Sequence, residues 1–217
     1  MQLAKEHNCI LMDAIRTAYT TAYYRLLLLA KSGRIGNIVS VDASCTSLRD
    51  IDIQNRDLKN TWNSICSWGP NALLPVFQLL GTQYTQKNII SRIINEDWKY
   101  DSFTKISFVY PNAVASIKVG KGVKTEGELI VSGTQGYIYV PAPWWLTSFF
   151  EVRYEDQAKN KKFFYSYDGD GLRYEIQEFM SMIVNHRKSS YKLRRRDSVT
   201  VAEIIEKFNL RENYKEI

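Results

Sequence analysis

Hydrophobic positions in the first part of the chain follow a helical pattern interrupted by short extended runs. Residues 20–31 are apolar almost all round, which predicts a buried helix, with Gly33 placed to end it. Before it, residues 2–8 resemble the end of a helix, and residues 9–12 (CILM) form the short apolar run typical of a buried strand. After Gly36, residues 37–48 are predicted to be extended.

Residues 62–81 combine a polar entry with a dense apolar run. The entry is rich in Trp, Asn, Ser and Gly, and the run ends at Gly81. A helix tolerates proline in its first turn, so Pro75 predicts that this helix begins near residues 69–71. The polar residues before it are then the mouth of a buried helix, and residues 49–59 are a polar loop leading to that mouth.

Alternating apolar and polar positions dominate the chain after Gly81. They predict seven or eight strands, mostly joined by short turns, at residues 87–95, 103–110, 113–119, 128–131, 137–140, 149–154 and 162–167. Helices are predicted at residues 172–186 and 198–208, with a frayed tail beyond residue 211. This order predicts an α+β fold with a large, open, mostly antiparallel β-sheet and helices packed on one face.

Composition and charge narrow the classes of function. The chain has 217 residues, a net charge of +6 and 45% hydrophobic residues, which is ordinary for a globular protein. Most basic residues are spread singly and accompany no recognisable nucleic-acid-binding motif, so no nucleic-acid partner is predicted. No run of about twenty apolar residues predicts a membrane span. Cys9, Cys45 and Cys66 are widely spaced, and with only two histidines they predict neither a disulfide framework nor a metal site. A cytoplasmic location is the default prediction.

Two local motifs leave alternatives open. The DGDG sequence at residues 168–171 has the look of a calcium loop but lacks the further ligands of an EF-hand, so a plain turn is predicted. Trp144 and Trp145 follow Pro141 and Pro143, and their rings are predicted to be exposed. They could stack on a sugar or seal a subunit contact.

Several strings in this order resemble the carboxyl-terminal domain of the Gfo/Idh/MocA family, the glucose-fructose oxidoreductase and inositol dehydrogenase type. The likeness covers nearly the whole chain and is carried by AKEHNCILMDA (4–14), LAKSGRIGNIVSVDAS (29–44), Gly69 with the helix to Gly81, LIVSGTQGYIYV (129–140) and EIQEFMSMI (175–183). The resemblance implies that residues 1–14 are the remnant of a dinucleotide-binding domain. Residues 15–217 would form a substrate-binding and oligomerisation domain.

In that family the sheet commonly forms a homodimer through its open face, and a sugar-like substrate lies beside NAD or NADP. The chain contains neither a GxGxxG loop nor a Glu-Lys-Pro string. The resemblance therefore implies that NAD or NADP binds through a missing N-terminal domain, and that this chain alone binds no cofactor and is inactive. The aromatic strand residues support a homodimer through the open face, namely Tyr137, Tyr139, Phe149, Phe163, Tyr165 and Tyr167. A sheet covered by its own helices and by polar side chains is the alternative.

The family's catalytic positions are altered in this chain. Its Asp falls on Ser67 and its His or Tyr on Asn71, so no catalytic residue is predicted. Arg16, Trp62, Ser67 and Asn71 are the predicted substrate-binding residues. The simpler interpretation is that Ser67 caps the helix and that Trp62 and Trp68 only pack. Two functions thus stay open: the substrate domain of an NAD(P)-dependent sugar-type oxidoreductase, and a non-catalytic relative that uses the sheet for dimerisation or interaction.

Overall fold

The computed structural model describes residues 2–48, 62–95, 100–212 and 214–217. These ranges contain five α-helices, α1 (Gln2–Glu6), α2 (Thr21–Lys31), α3 (Ser64–Leu80), α4 (Leu172–Val184) and α5 (Arg195–Asn209). They also contain nine strands, β1 (Ile38–Ser47), β2 (Gln86–Asn95), β3 (Tyr100–Val109), β4 (Val114–Lys121), β5 (Leu129–Gly133), β6 (Tyr137–Val140), β7 (Phe149–Arg153), β8 (Lys161–Phe164) and β9 (Lys215–Glu216). The predicted loop at residues 49–59 lies outside the described ranges.

All nine strands form one sheet in the order β8-β7-β6-β5-β1-β4-β3-β2-β9. Most neighbours are antiparallel, and the predicted α+β fold is confirmed. Two pairs are parallel, β1 with β4 at the centre and β2 with β9 at one edge. The prediction of a frayed tail is wrong at β9, because residues 215–216 pair with β2 and the Ile217 amide donates to the Ser91 carbonyl at 2.9 Å.

One face of the sheet carries the hydrophobic core. The buried side chains on this face include Val41, Ala43, Ile106, Phe108, Ile117, Val119, Val131, Ile138, Phe150 and Val152, and α3 packs across β1, β3 and β4. The central strands of the other face carry the polar and charged residues Ser40, Asp42, Lys105, Ser107, Ser116 and Lys118. We call this second side the open face.

The predicted aromatic residues divide between the two faces. Tyr137, Tyr139 and Phe149 lie on the open face, where the Arg153 guanidinium lies 4.6 Å from the centroid of the Tyr139 ring. Phe163 and Tyr165 instead stack on the buried Phe150, and Tyr167 contacts Tyr174 of α4. The open face therefore carries only part of the predicted aromatic surface.

Helix α3 begins earlier than predicted, at Ser64 rather than near residues 69–71. The Asn63 side chain accepts a hydrogen bond from the Cys66 amide at 3.0 Å, and the Asp101 carboxylate accepts from the Ser64 amide at 2.8 Å. These two acceptors satisfy amides at the helix start, which stabilises an additional N-terminal segment. Pro70 and Pro75 consequently lie inside the helix. Its predicted end is confirmed at Gly81, where φ is 84°.

One other prediction needs correction. Residues 9–12 form no strand, because no described strand lies beside them to pair with, and Leu11 is 48% exposed. Helix α4 is present as predicted, but much of its apolar face is open, with Leu172, Ile176, Met180, Ile183 and Val184 between 41% and 69% exposed. We call these five residues the α4 stripe. In the part of the chain that the structure describes, every helix is too short or too polar to cross a bilayer.

Candidate functional site

A cavity of about 410 Å³ lies beside the first half of α3. Its wall is formed by Ala14, Ile15, Arg16, Thr17, Trp62, Cys66, Ser67, Pro70, Asn71, Trp145, Leu146 and Asp170. The structure thus brings the four predicted substrate-binding residues, Arg16, Trp62, Ser67 and Asn71, around one space. We call this space the polar cavity.

Helix α3 contributes Ser67 and Asn71 from the same side, because residues four positions apart lie one above the other on a helix. The Ser67 hydroxyl donates to the Trp62 carbonyl at 3.2 Å. The side chain that caps α3 is that of Asn63, so the simpler interpretation of Ser67 as the cap is wrong. Ser67 remains at the cavity wall.

Asn71 is positioned by the short 3₁₀ helix Arg16–Tyr19. Thr17 Oγ1 lies 3.1 Å from the Asn71 side-chain amide and 3.0 Å from the Trp145 carbonyl oxygen. Both partners are acceptor oxygens, Asn71 Oδ1 and the Trp145 carbonyl oxygen, so they share the single proton that the Thr17 hydroxyl donates. Thr17 therefore joins three separate segments of the cavity wall.

Arg16 reaches the DGDG turn rather than standing alone in the cavity. Its guanidinium Nη1 lies 2.7 Å from Asp170 Oδ2, and both side chains are largely exposed. The Leu172 amide, which donates to Asp170, is the main cause that lowers the pKa of this carboxyl, and Arg16 acts in the same direction. The cavity thus contains a paired positive charge rather than a free one.

The tryptophans around the cavity differ in burial. Trp144 is fully buried, and its indole donates to the Ser44 carbonyl at 3.0 Å, so the prediction that its ring is exposed is wrong. Trp145 is half-buried and packs against Trp68 with ring centroids 4.9 Å apart. Trp62 is 72% exposed at the rim, where an aromatic face can contact a sugar ring.

The chemistry available to this wall is hydrogen bonding. Hydroxyl and amide side chains at Ser67 and Asn71 donate and accept protons in hydrogen bonds but do not titrate near neutral pH. Cys66 also lines the cavity, and burial raises the pKa of its thiol, which keeps the thiol neutral. These groups can bind and orient a polyhydroxyl ligand.

A dinucleotide does not fit the helix starts nearest the cavity. Pyrophosphate binds where free amides point from a helix N-terminus. The amides at the start of α3 already donate to Asn63 and Asp101, and the Leu172 amide of α4 donates to Asp170. Two of these acceptors are carboxyl groups, which would repel a phosphate. The described residues also contain no group of three or more acidic, histidine or cysteine side chains suited to a metal ion.

Thr17, Trp145 and Asp170 also line the cavity, although none of them is among the four predicted substrate-binding residues and only Trp145 was named as a possible sugar contact. All three lie in short 3₁₀ or turn segments whose position depends on tertiary contacts. The only sequence signal for Asp170 was the DGDG turn, since binding residues often lie on turns and loops that follow the strands of a sheet.

The three cysteines should differ in alkylation rate because they differ in burial. Cys9 is exposed, Cys66 is half-buried, and Cys45 is buried, with its pKa raised well above the usual value by burial. We expect iodoacetamide to modify Cys9 first, Cys66 more slowly and Cys45 only after unfolding. Mass spectrometry of peptides over time measures this order, and urea-unfolded protein is the control. Rapid labelling of Cys45 in the folded chain would contradict its burial.

Comparison with known proteins finds similarity at the level of the fold. No protein-family model and no curated protein sequence matches the chain. Among solved structures, KijD10, a 3-ketoreductase from Actinomadura kijaniata in complex with NADP and TDP-benzene, matches 100% of this chain with a TM-score of 0.79 and 15% identity. A protein from Erwinia carotovora atroseptica that is described as an oxidoreductase matches 98% of this chain, with a TM-score of 0.70 and 12% identity.

The match covers only part of the larger proteins. This chain spans 66% of the KijD10 chain and 67% of the Erwinia chain. The chain therefore shares its fold with about two thirds of each of these larger proteins, which is consistent with the fold that the resemblance implied.

Proposed function

We propose that this chain is the substrate-binding domain of an NAD(P)-dependent oxidoreductase acting on a sugar-like molecule. The observation that carries the proposal is the convergence of Arg16, Trp62, Ser67 and Asn71 on the polar cavity. Aromatic rings with hydroxyl and amide groups are suited to sugars, whose rings present apolar faces and hydroxyl edges. The fold is also that of KijD10, a 3-ketoreductase solved with NADP.

In this proposal the nicotinamide is supplied by another domain. The amides at the starts of α3 and α4 are occupied by side-chain acceptors, and the chain contains no glycine-rich phosphate loop. Residues 1–14 would then be the end of that other domain, and residues 15–217 the substrate domain. The exposed α4 stripe supports contact with such a domain, since contiguous exposed apolar surface marks interaction sites.

Homodimerisation through the open face is a second part of the proposal. Tyr137, Tyr139 and Phe149 supply its aromatic area, and Glu151 and Arg153 supply a paired charge at 2.5 Å. Light scattering after size exclusion measures the assembly. A monomer at a concentration of about ten micromolar, well above the dissociation constants of stable interfaces, would remove this part and leave the substrate site untouched.

The polar cavity is tested by binding of simple sugars. We expect methyl glucoside or inositol to bind the chain weakly and Asn71→Ala to weaken binding by about fivefold, because one hydrogen bond contributes about 1 kcal/mol. Ligand-detected NMR measures the affinity. Asn112→Ala is the matched control, because Asn112 is exposed in the turn between β3 and β4 and lines no part of the cavity. Equal affinity in all three proteins would overturn the proposed site.

A non-catalytic relative is the second candidate function. It is favoured by one observation, that Ser67 and Asn71 stand where the resemblance implies an acid–base pair. Such a protein would retain the sheet and its assembly without turnover. A chain that dimerises but shows no saturable sugar binding would support this second candidate against the first.

A further inference from the structure

An apolar groove adjoins the polar cavity. It has a volume of about 700 Å³ and is lined by Trp62, Cys66, Pro70, Ala202, Ile205, Glu206, Asn209 and Leu210. Trp62, Cys66 and Pro70 also line the polar cavity. The two spaces therefore lie side by side along α3, between the turn at Asp170 and α5, and we call them together the depression.

The two ends of this depression differ in chemistry. The polar cavity offers the side chains of Thr17, Ser67 and Asn71. The groove offers Ile205 and Leu210 instead, and Leu210 is 63% exposed. An elongated ligand with one hydroxylated end and one apolar end would match both spaces. Its hydroxylated end would form hydrogen bonds in the polar cavity, and its apolar end would bury apolar surface in the groove.

Charge argues against a nucleotide in this depression. Among the described residues that line it, Arg16 is the one cation, and it is already paired with Asp170 at 2.7 Å. The groove carries the carboxylate of Glu206. Lys121 donates to the Trp62 carbonyl at 2.7 Å and lines neither space. A diphosphate here would lack the cation or free amides that stabilise it elsewhere.

We propose that the substrate is a neutral glycoside with an aryl or alkyl aglycone, with its sugar in the polar cavity and its aglycone in the groove between Trp62 and Leu210. This inference rests on the proposed function and specifies the substrate class of the same site. It predicts a ligand chemistry different from the TDP-benzene bound to KijD10, whose diphosphate is negatively charged.

The test uses the full chain with three probes, methyl glucoside, phenyl glucoside and TDP-glucose. We expect phenyl glucoside to bind about tenfold more tightly than methyl glucoside, since a phenyl ring buries apolar area in the groove. Leu210→Ser should reduce that advantage about threefold, because it replaces apolar surface of the groove with a hydroxyl group. Leu3→Ser is the matched control, because Leu3 is 67% exposed on α1 and lines neither space. Circular dichroism checks that both variants fold.

The outcomes separate the inference from the proposed function. Equal affinity for the phenyl and methyl glucosides overturns the inference, as does tighter binding of TDP-glucose than of phenyl glucoside. If methyl glucoside still binds and Asn71→Ala still weakens it, the proposed function stands in both cases. Failure of all three probes to bind overturns both.

Discussion

Trp144→Ala should lower the free energy of unfolding by about 3–5 kcal/mol, the usual cost of removing a fully buried tryptophan. The Trp144 ring is inaccessible to solvent, contacts Tyr23 and Trp145, and donates its indole hydrogen to the Ser44 carbonyl at 3.0 Å. Truncation removes this packing and leaves a buried carbonyl without its donor. Urea unfolding followed by circular dichroism measures the loss.

The chain offers a matched control for this substitution. Trp62→Ala changes the same residue type where the ring is 72% exposed, and we expect a change within about 0.5 kcal/mol. Trp144→Phe should fall between the two, because it retains a ring and loses the hydrogen bond. Sugar affinity should also fall in Trp144→Ala, since Trp144 supports Trp145 at the cavity wall. Similar stability of the two alanine variants would contradict the burial of Trp144.

Asp101→Ala should lower the free energy of unfolding by about 2–4 kcal/mol, because Asp101 joins β3 to the start of α3. Its carboxyl accepts from the Ser64 and Ile65 amides at 2.8 and 3.4 Å and from the Thr104 hydroxyl at 2.5 Å. The alanine variant leaves buried donors without an acceptor. Urea unfolding at neutral pH measures the loss. Asp101→Asn retains an acceptor oxygen and is the conservative control, expected to lose less.

Asp101 should also make stability depend on pH. Burial raises its pKa from 3.8 to about 6, although the hydrogen bonds from Thr104, Ile65 and Ser64 oppose this rise. The folded state then binds the proton more tightly than the unfolded state. The resulting stabilisation is complete below about pH 4 and is lost as the pH rises through about 6.

The matched asparagine variant isolates this dependence. The unfolding free energy of the wild type relative to Asp101→Asn should fall by about 3 kcal/mol between about pH 4 and about pH 7, because the asparagine does not titrate. Urea titrations of both proteins across that range measure the difference. A difference that grows with pH would mean that the hydrogen bonds outweigh burial and hold the carboxyl ionised.

The elements that the sequence predicted correctly are those with local signals. The apolar run of α2, the alternation in β2 to β4 and the positive φ of Gly81 all follow from residues close together in the chain. The start of α3 did not have such a signal. Its second acceptor is Asp101, far away in sequence, and only the folded sheet brings it to the Ser64 amide.

The candidate site was predictable through resemblance and not through periodicity. Ser67 and Asn71 were identified by counting back from Gly81 to the positions that the family resemblance implies, and their neighbours on α3 would otherwise suggest only a helix. Thr17 and Asp170 were missed, and Trp145 was named only as one of two possible sugar contacts, because each is placed by a tertiary contact such as the bond from Thr17 to the Trp145 carbonyl. The exposure of the α4 stripe could not be predicted, because an apolar helical pattern does not show which surface, if any, will cover it.

The parallel pairing of β1 with β4 affects how the sheet can assemble. Strands β2, β3 and β4 follow one another and pair with near neighbours, so they can form early through local contacts. Strand β1 is central in the sheet, but Ser40 pairs with Val114 and Val41 with Val131, which come much later in the chain. Closing so long a loop costs entropy before any pairing is gained. We therefore expect the centre of the sheet to form after β2, β3 and β4 have paired, and the packing of α3 across β1 to be completed at that later step.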